Sequence, residues 1–247
     1  MSQKEITSAE SKVKNHNDVI RWGISLALGT LVVLWRVMIP TRLIEITVAY
    51  VVLVMALDLV LTVVLIYINK KELKEAFARK ITLKDILKFI VCFALFVFVL
   101  PLLMLALNQI ILSLYSMFPI MANLIVLPGY SVIYLQSPAD WVATEFHRIF
   151  PLGVSISMVI AAPIFEEISF RMAGRNLIKN GFLYVMITSL LFGFIHTGSF
   201  LTFSIISYFF VGLVYALMYL KTKDIRIVIA VHFAANLIGR ISAIIGQ

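Results

Sequence analysis

The 247-residue chain is 62% hydrophobic and only 14% charged, against about 45–50% apolar and about 25% charged in soluble domains. Its mean hydropathy is +1.01, and at ~20 apolar residues per bilayer crossing the composition fills about seven spans with little left over. A soluble enzyme, a disordered tail and a nucleic-acid module are thereby excluded as the main reading. The single cysteine, Cys92, lies in an apolar run, so neither a disulfide framework nor a Cys-x-x-Cys metal knuckle is available. The expected fold class is all-α, a polytopic transmembrane helix bundle of about seven spans, with eight as the alternative.

Residues 1–19 are polar and read as a tail rather than a signal peptide. The apolar run from Ile20 to Pro40 is too long for a signal core and has no small-residue cleavage site. Trp22 and Trp35 bracket this first span, as interfacial aromatics do. Further spans are predicted near 43–68, 86–112, 152–178, 182–200, 201–220 and 225–244. Thr82 and Asp85 form a Thr-x-x-acid capping signal ahead of the third span, and Pro101 predicts a kink within it. The stretch 113–150 is ambiguous, because its apolar piece 118–135 carries Pro119, Pro128 and Gly129. It reads as a loop, a re-entrant segment or an eighth span. Ser137-Pro138 then opens a short helix whose Trp141, Phe146, Ile149 and Phe150 would lie on the membrane surface. The organisation expected is a tail (1–19), N-terminal membrane helices and loops (20–150) and a C-terminal helical core (151–247).

Lysine and arginine orient these spans. The start of the chain holds four, the 69–88 loop seven, residues 171–179 three and residues 221–226 three, seventeen of the 21 in all. A seven-span arrangement puts all four segments on one side, which the positive-inside rule makes cytoplasmic, with the C-terminus outside. An eighth span would break this alternation. The net charge of +8 is therefore a topology signal, and no nucleic-acid partner is expected.

Chemistry concentrates in the C-terminal core. An acidic or basic residue within a span costs about 2.5–3.5 kcal/mol on insertion scales, yet Ala162-Pro163-Ile164-Phe165-Glu166-Glu167-Ile168-Ser169-Phe170-Arg171 carries three in one apolar helix. Glu167 and Arg171, at i,i+4 in the favourable acid-first order, can be a buried structural ion pair. That leaves Glu166, which points about 100° around the helix, unexplained. Of the four histidines, His16 and His147 lie in polar or surface segments and are expected to be solvated. His196 ends one apolar helix. His232 shares a face of the last helix with Asn236, so the two can reach one atom. Depth agrees: Glu166 and His196 lie fifteen residues either side of Gly181, so in an antiparallel pair both stand ~22 Å from the turn. Asp58, mid-span in the second helix, reads as structural, with Asn108 or Gln109 as partner.

Glu-Glu-x-x-x-Arg (166–171), Phe-x-x-x-His (192–196) and His-x-x-x-Asn (232–236), in that order on successive hydrophobic helices, resemble the CAAX protease and bacteriocin-processing (CPBP, or Abi) family. The flanks Phe170-Arg171, Leu190-Leu191-Phe192-Gly193 and Asn236-Leu237-Ile238 agree, and Met172 departs where glycine is common. The resemblance covers roughly 150–244. It implies an intramembrane endopeptidase in which Glu166 is the general base, activating a water together with His196. Glu167 would be an auxiliary acid held by Arg171, while His232 and Asn236 would stabilise the oxyanion. Amide hydrolysis needs such a base and such donors. It also implies a membrane-anchored or hydrophobic peptide as substrate, in a lipid setting. In bacteria that means peptide processing (bacteriocin, pheromone or leader) or self-immunity; in eukaryotes, prenylated CAAX ends. The bacterial branch is preferred, since nothing marks prenyl recognition. A metal-free mechanism is preferred too, because no His-Glu-x-x-His helix exists; if zinc were used, Glu166, His196 and His232 would be its ligands. The competing functions are a non-catalytic scaffold or regulator of a sensor kinase, and a proton-coupled transporter.

Overall fold

A computed structural model of the chain describes residues 16–31, 48–117, 156–197 and 204–245. Every regular element among them is helical. They are α1 (16–31), α2 (Val48–Ile68), α3 (Lys70–Ala78), α4 (Leu83–Ala94) and α5 (Leu100–Met117), then α6 (Ala162–Glu166), α7 (Gly174–Leu177), α8 (Gly181–Thr197), α9 (Ser204–Thr222) and α10 (Ile225–Ile245). Each of the seven predicted spans contains a described helix. Among the described residues, three stretches are long and apolar enough to cross a bilayer by length and composition: Leu83–Ala106, Ile205–Thr222 and Ile225–Ser242. The alternative eighth span (118–135), the surface helix after Ser137 and His147 lie outside the described residues.

Ahead of Pro101, where a kink is expected, a π-helical turn, Leu95–Val99, joins α4 to α5. A proline ring clashes with the carbonyl four residues back, here that of Val97, and the wider turn makes room for it. The glutamate helix repeats the device: Ser157–Ala161 is π-helical ahead of Pro163. It then widens again over Glu167–Ala173 before α7. The two glutamates thus sit where one helix changes register twice, and such π turns recur at functional sites.

That helix is the centre of the bundle. From Phe165 to Gly174 every side chain is buried, as expected of a helix that is apolar nearly all round. Phe165, Ile168, Phe170 and Met172 join Leu65 of α2, Phe192 and Ile195 of α8 and Ile225 of α10 in one core cluster. A second cluster packs Cys92 of α4 against Tyr215 and Met218 of α9 and Val228 and Val231 of α10, so Cys92 is a packing residue as expected. The opposite faces are left apolar and open, with Val63, Phe98, Leu102 and Phe182 each more than 60% exposed, which suits contact with lipid. Lipid is as apolar as leucine, so helices in it associate through close approach of small residues. Gly212 shows this: a Cβ there would meet Ser189 Cα of α8 at 3.1 Å and Phe192 Cβ at 3.0 Å.

The four basic segments meet at one end of the bundle. Arg21 of α1 pairs with Glu72 of α3, and Lys179 Nζ stands 5.3 Å from the Trp22 ring. Arg79 pairs with Asp224, and Arg226 Nη1 donates to Arg79 O at 2.7 Å. Burial raises the Glu72 carboxyl, but hydrogen bonds and charge from Arg21 outweigh it and hold the group below the ordinary carboxylate range. The capping box before α4 is complete: Asp85 N–H donates to Thr82 Oγ1 at 3.3 Å and Thr82 N–H donates to Asp85 Oδ2 at 3.0 Å.

Asp58 is buried, and its carboxylate accepts from Ser157 Oγ of the glutamate helix; of the two expected partners, Gln109 is exposed and the Asn108 side chain lies outside the described residues. An α-helical periodicity shows which residues share a face but not which neighbouring helix that face meets.

Candidate active site

The site is assembled from three helices. The glutamate helix supplies Glu166, Glu167 and Arg171, which are 3%, 0% and 0% exposed. Helix α8 supplies His196, and α10 supplies His232 and Asn236 one turn apart. The antiparallel count about Gly181 puts Glu166 and His196 at one level, and His196 Nε2 stands 3.8 Å from Glu166 Oε1. His232 Nδ1 lies 2.9 Å from Glu167 Oε1. Each adjacent carboxylate therefore faces a histidine of its own, an arrangement the sequence did not reveal.

Tautomers follow from the partners. His196 Nδ1 is 2.7 Å from the carbonyl oxygen of Phe192, which can only accept, so Nδ1 carries a proton. In the neutral ring Nε2 is then an acceptor turned toward Glu166. Their separation is too long for a direct hydrogen bond and suits two groups that share a water. His232 Nδ1 faces Glu167, whose carboxylate accepts, so Nδ1 is again protonated. Its Nε2 edge can donate only when the ring is an imidazolium.

Glu167 is held from two sides. Its Oε2 is 3.1 Å from Arg171 Nε, at the i,i+4 spacing expected, while Oε1 faces His232. The Arg171 guanidinium lies 4.9 Å from the Phe192 ring centroid and 5.8 Å from that of Tyr215, so aromatic faces supply part of what water would give a buried cation. Asn236 and His232 have different partners for the contacts the structure shows. Its Nδ2 donates to the backbone carbonyl of Met158 at 2.8 Å.

Helix α9 also takes part, which the sequence reading missed. The Tyr208 ring stacks on His196 (centroids 4.7 Å, 18°), and the Tyr215 ring stacks on His232 (4.6 Å, 23°). The two tyrosines are seven residues apart, two turns along one face. That spacing is the signal that could have found them. It was indistinguishable from ordinary aromatic packing until both histidines were seen across from it. His16, by contrast, is exposed at the start of α1, away from the site.

Among the described residues no group of three or more His, Cys, Asp and Glu side chains converges to hold a metal ion. His232 turns Nδ1 to Glu167 and His196 turns Nδ1 to the Phe192 carbonyl, so in both rings Nε2 is the nitrogen left to face a reacting group.

Residues 148–238 match the family described as Type II CAAX prenyl endopeptidase Rce1-like. The matched stretch contains all six candidate residues. No curated protein and no solved structure matches the chain significantly.

Proposed function

We propose that the chain is a peptide-bond hydrolase of the CAAX intramembrane protease kind that residues 148–238 match, and that Glu166 and His196 activate the water that cleaves a membrane-anchored or hydrophobic peptide. The observation that carries this reading is the pairing of two carboxylates with two imidazoles from separate helices, Glu166 with His196 and Glu167 with His232. A chain needing only spanning helices gains nothing from such a set, given what each buried charge costs.

In this mechanism a water shared by Glu166 and the bare Nε2 of His196 loses its proton to Glu166 as its oxygen attacks the scissile carbonyl. Glu166 then returns that proton to the leaving amine. The developing oxyanion is met by the second N–H of Asn236 and by Nε2–H of His232 in its imidazolium form, whose Nδ1–H stays on Glu167 throughout. Arg171 holds Glu167 in place. No step of this mechanism is routed through a metal.

The basic end of the bundle, with the N-terminus, faces the cytoplasm in this reading, by the positive-inside rule. Single cysteines at positions 75 and 140 should label from opposite sides of the membrane; labelling from the same side would overturn the seven-span topology. Substrates of bacterial peptide processing or self-immunity fit best, since nothing marks prenyl recognition. Membranes carrying wild type and Glu166→Ala should be compared by proteomics for a precursor that accumulates uncleaved only in the variant. A proteome unchanged by Glu166→Ala, with both proteins equally expressed, would transfer the protein to the scaffold class.

A further inference from the structure

Pro163 lies three residues before Glu166, and none of the roles above uses it. Its consequence begins in the π turn that precedes it. The N–H of Ala162 is hydrogen-bonded to Ser157 O, five residues back. In that register the next carbonyl, Met158 O, would take its proton from the N–H of residue 163. A proline has none. Met158 O thus lacks the donor that the π register would give it, in a span where unpaired backbone groups are costly. Asn236 of α10 supplies the missing proton from Nδ2 at 2.8 Å. Because the acceptor is a carbonyl oxygen, the amide must turn its NH2 group toward the glutamate helix. One N–H is committed to Met158 O, and the geometry of the amide fixes the direction of the other.

We propose that Pro163 is a positioning residue for Asn236: by withholding an N–H it keeps Met158 O vacant as an anchor, and the anchored amide aims its second N–H at the developing oxyanion. This rests on the reading of Asn236 as an oxyanion donor. The same turn is also held from the other side, where Ser157 Oγ donates to the Asp58 carboxylate of α2. The anchor carbonyl is therefore pinned between two helices rather than carried on a free turn. An ordinary helical residue at 163 would close the backbone bond and release Asn236 from the glutamate helix.

The test is a kinetic cycle on the full-length protein, purified in detergent and assayed on an identified peptide substrate. Pro163→Ala restores the N–H and favours helix, so its Tm should equal or exceed that of wild type. Its kcat should nevertheless fall by on the order of 10²-fold, the scale of a catalytic group misplaced by about 1 Å, with KM little changed. In the Asn236→Ala background the same substitution should cause no further loss, because the group it positions is gone. Pro163→Ser, which supplies the same N–H, should behave alike and serves as the second variant if the alanine protein is poorly produced. Wild-type kcat in Pro163→Ala, with Glu166→Ala inactive, would overturn the inference and leave the protease reading intact. Multiplicative losses in the double variant would overturn it too, since Pro163 would then act through helix shape. Cleavage by Glu166→Ala at the wild-type rate would sink the protease reading itself.

Discussion

Two charged networks stand at different depths of this molecule, and they are built differently. At the basic end Asp224 accepts from Arg79 and from Arg226 Nε and Nη2, while Asp85 accepts from Arg79 and caps α4. Arg79 is 54% exposed there, so water completes its shell. In the interior Arg171 is fully buried, and among the described residues its Nη1 and Nη2 have no hydrogen-bond partner. The first network resembles a clasp between the α3–α4 and α9–α10 turns. The second sets two carboxylates side by side around a fully buried guanidinium, a configuration that a purely structural interior often exchanges for apolar packing. Charge gathered at depth is what sets the candidate site apart from the clasp.

The comparison is broken most directly at the site itself. Glu166→Ala should reduce kcat by at least the ~10²–10⁴-fold of a lost general base, and His196→Ala comparably, with thermal stability in detergent retained. Asn236→Ala should lose less, about 10²–10³-fold, as for one oxyanion donor. These rates are to be read on folded, purified protein with one substrate. Turnover by Glu166→Ala equal to wild type would place both networks in the structural class.

The next contrast is in stability. Arg171→Ala leaves Glu167 buried opposite His232 without its cation, and breaking a buried pair costs about 3–5 kcal/mol. Arg79→Ala removes a half-exposed partner, for which ~0–1 kcal/mol is usual. Expression level and Tm should therefore drop steeply in the first and scarcely in the second. Equal losses would mean that depth is not what distinguishes the networks.

How far the sequence reached follows the same division. Hydropathy placed a helix in each of the seven spans, because the bilayer demands apolar runs of fixed length whatever the helices touch. The count about Gly181 placed Glu166 level with His196, because both helices leave one turn at the same rise per residue. Partners across helices were harder. Ser157 was not foreseen as a partner of Asp58, and Glu167 was read against Glu166 and Arg171 when it also faces His232. Two π turns around the glutamates shift the register that a uniform 100° step assumes. The stacked tyrosines escaped because an aromatic at i,i+7 has the same pattern whether it packs on leucine or on a histidine.

Those tyrosines give a smaller effect. If Tyr208 holds the His196 ring at its working angle, Tyr208→Phe keeps the stack and should retain near-wild-type kcat. Tyr208→Leu removes it and should lose about 0.5–1.5 kcal/mol of orientation, a fall of roughly twofold to tenfold, with KM unchanged. A leucine variant as active as the phenylalanine variant would make α9 a packing helix alone.

The smallest effect belongs to the clasp, and pH reads it. Burial alone would raise the Asp224 carboxyl, but hydrogen bonds and charge from Arg226, with charge from Arg79, outweigh it and hold the group below the ordinary carboxylate range. The folded protein thus releases this proton more readily than the unfolded chain, whose value is near 3.9. The resulting stabilisation is complete above that unfolded value and drains away as pH falls through the folded one. Asp224→Asn should accordingly lower Tm by a few degrees at most at pH 7, and the gap to wild type should close on titration toward pH 3. Activity at pH 7 should be unchanged, because twelve residues, about 18 Å of helix, separate the clasp from Asn236. A Tm gap that persists undiminished at pH 3 would show that Asp224 acts through its hydrogen bond to the Arg226 backbone N–H, as the cap of α10, and not through its charge.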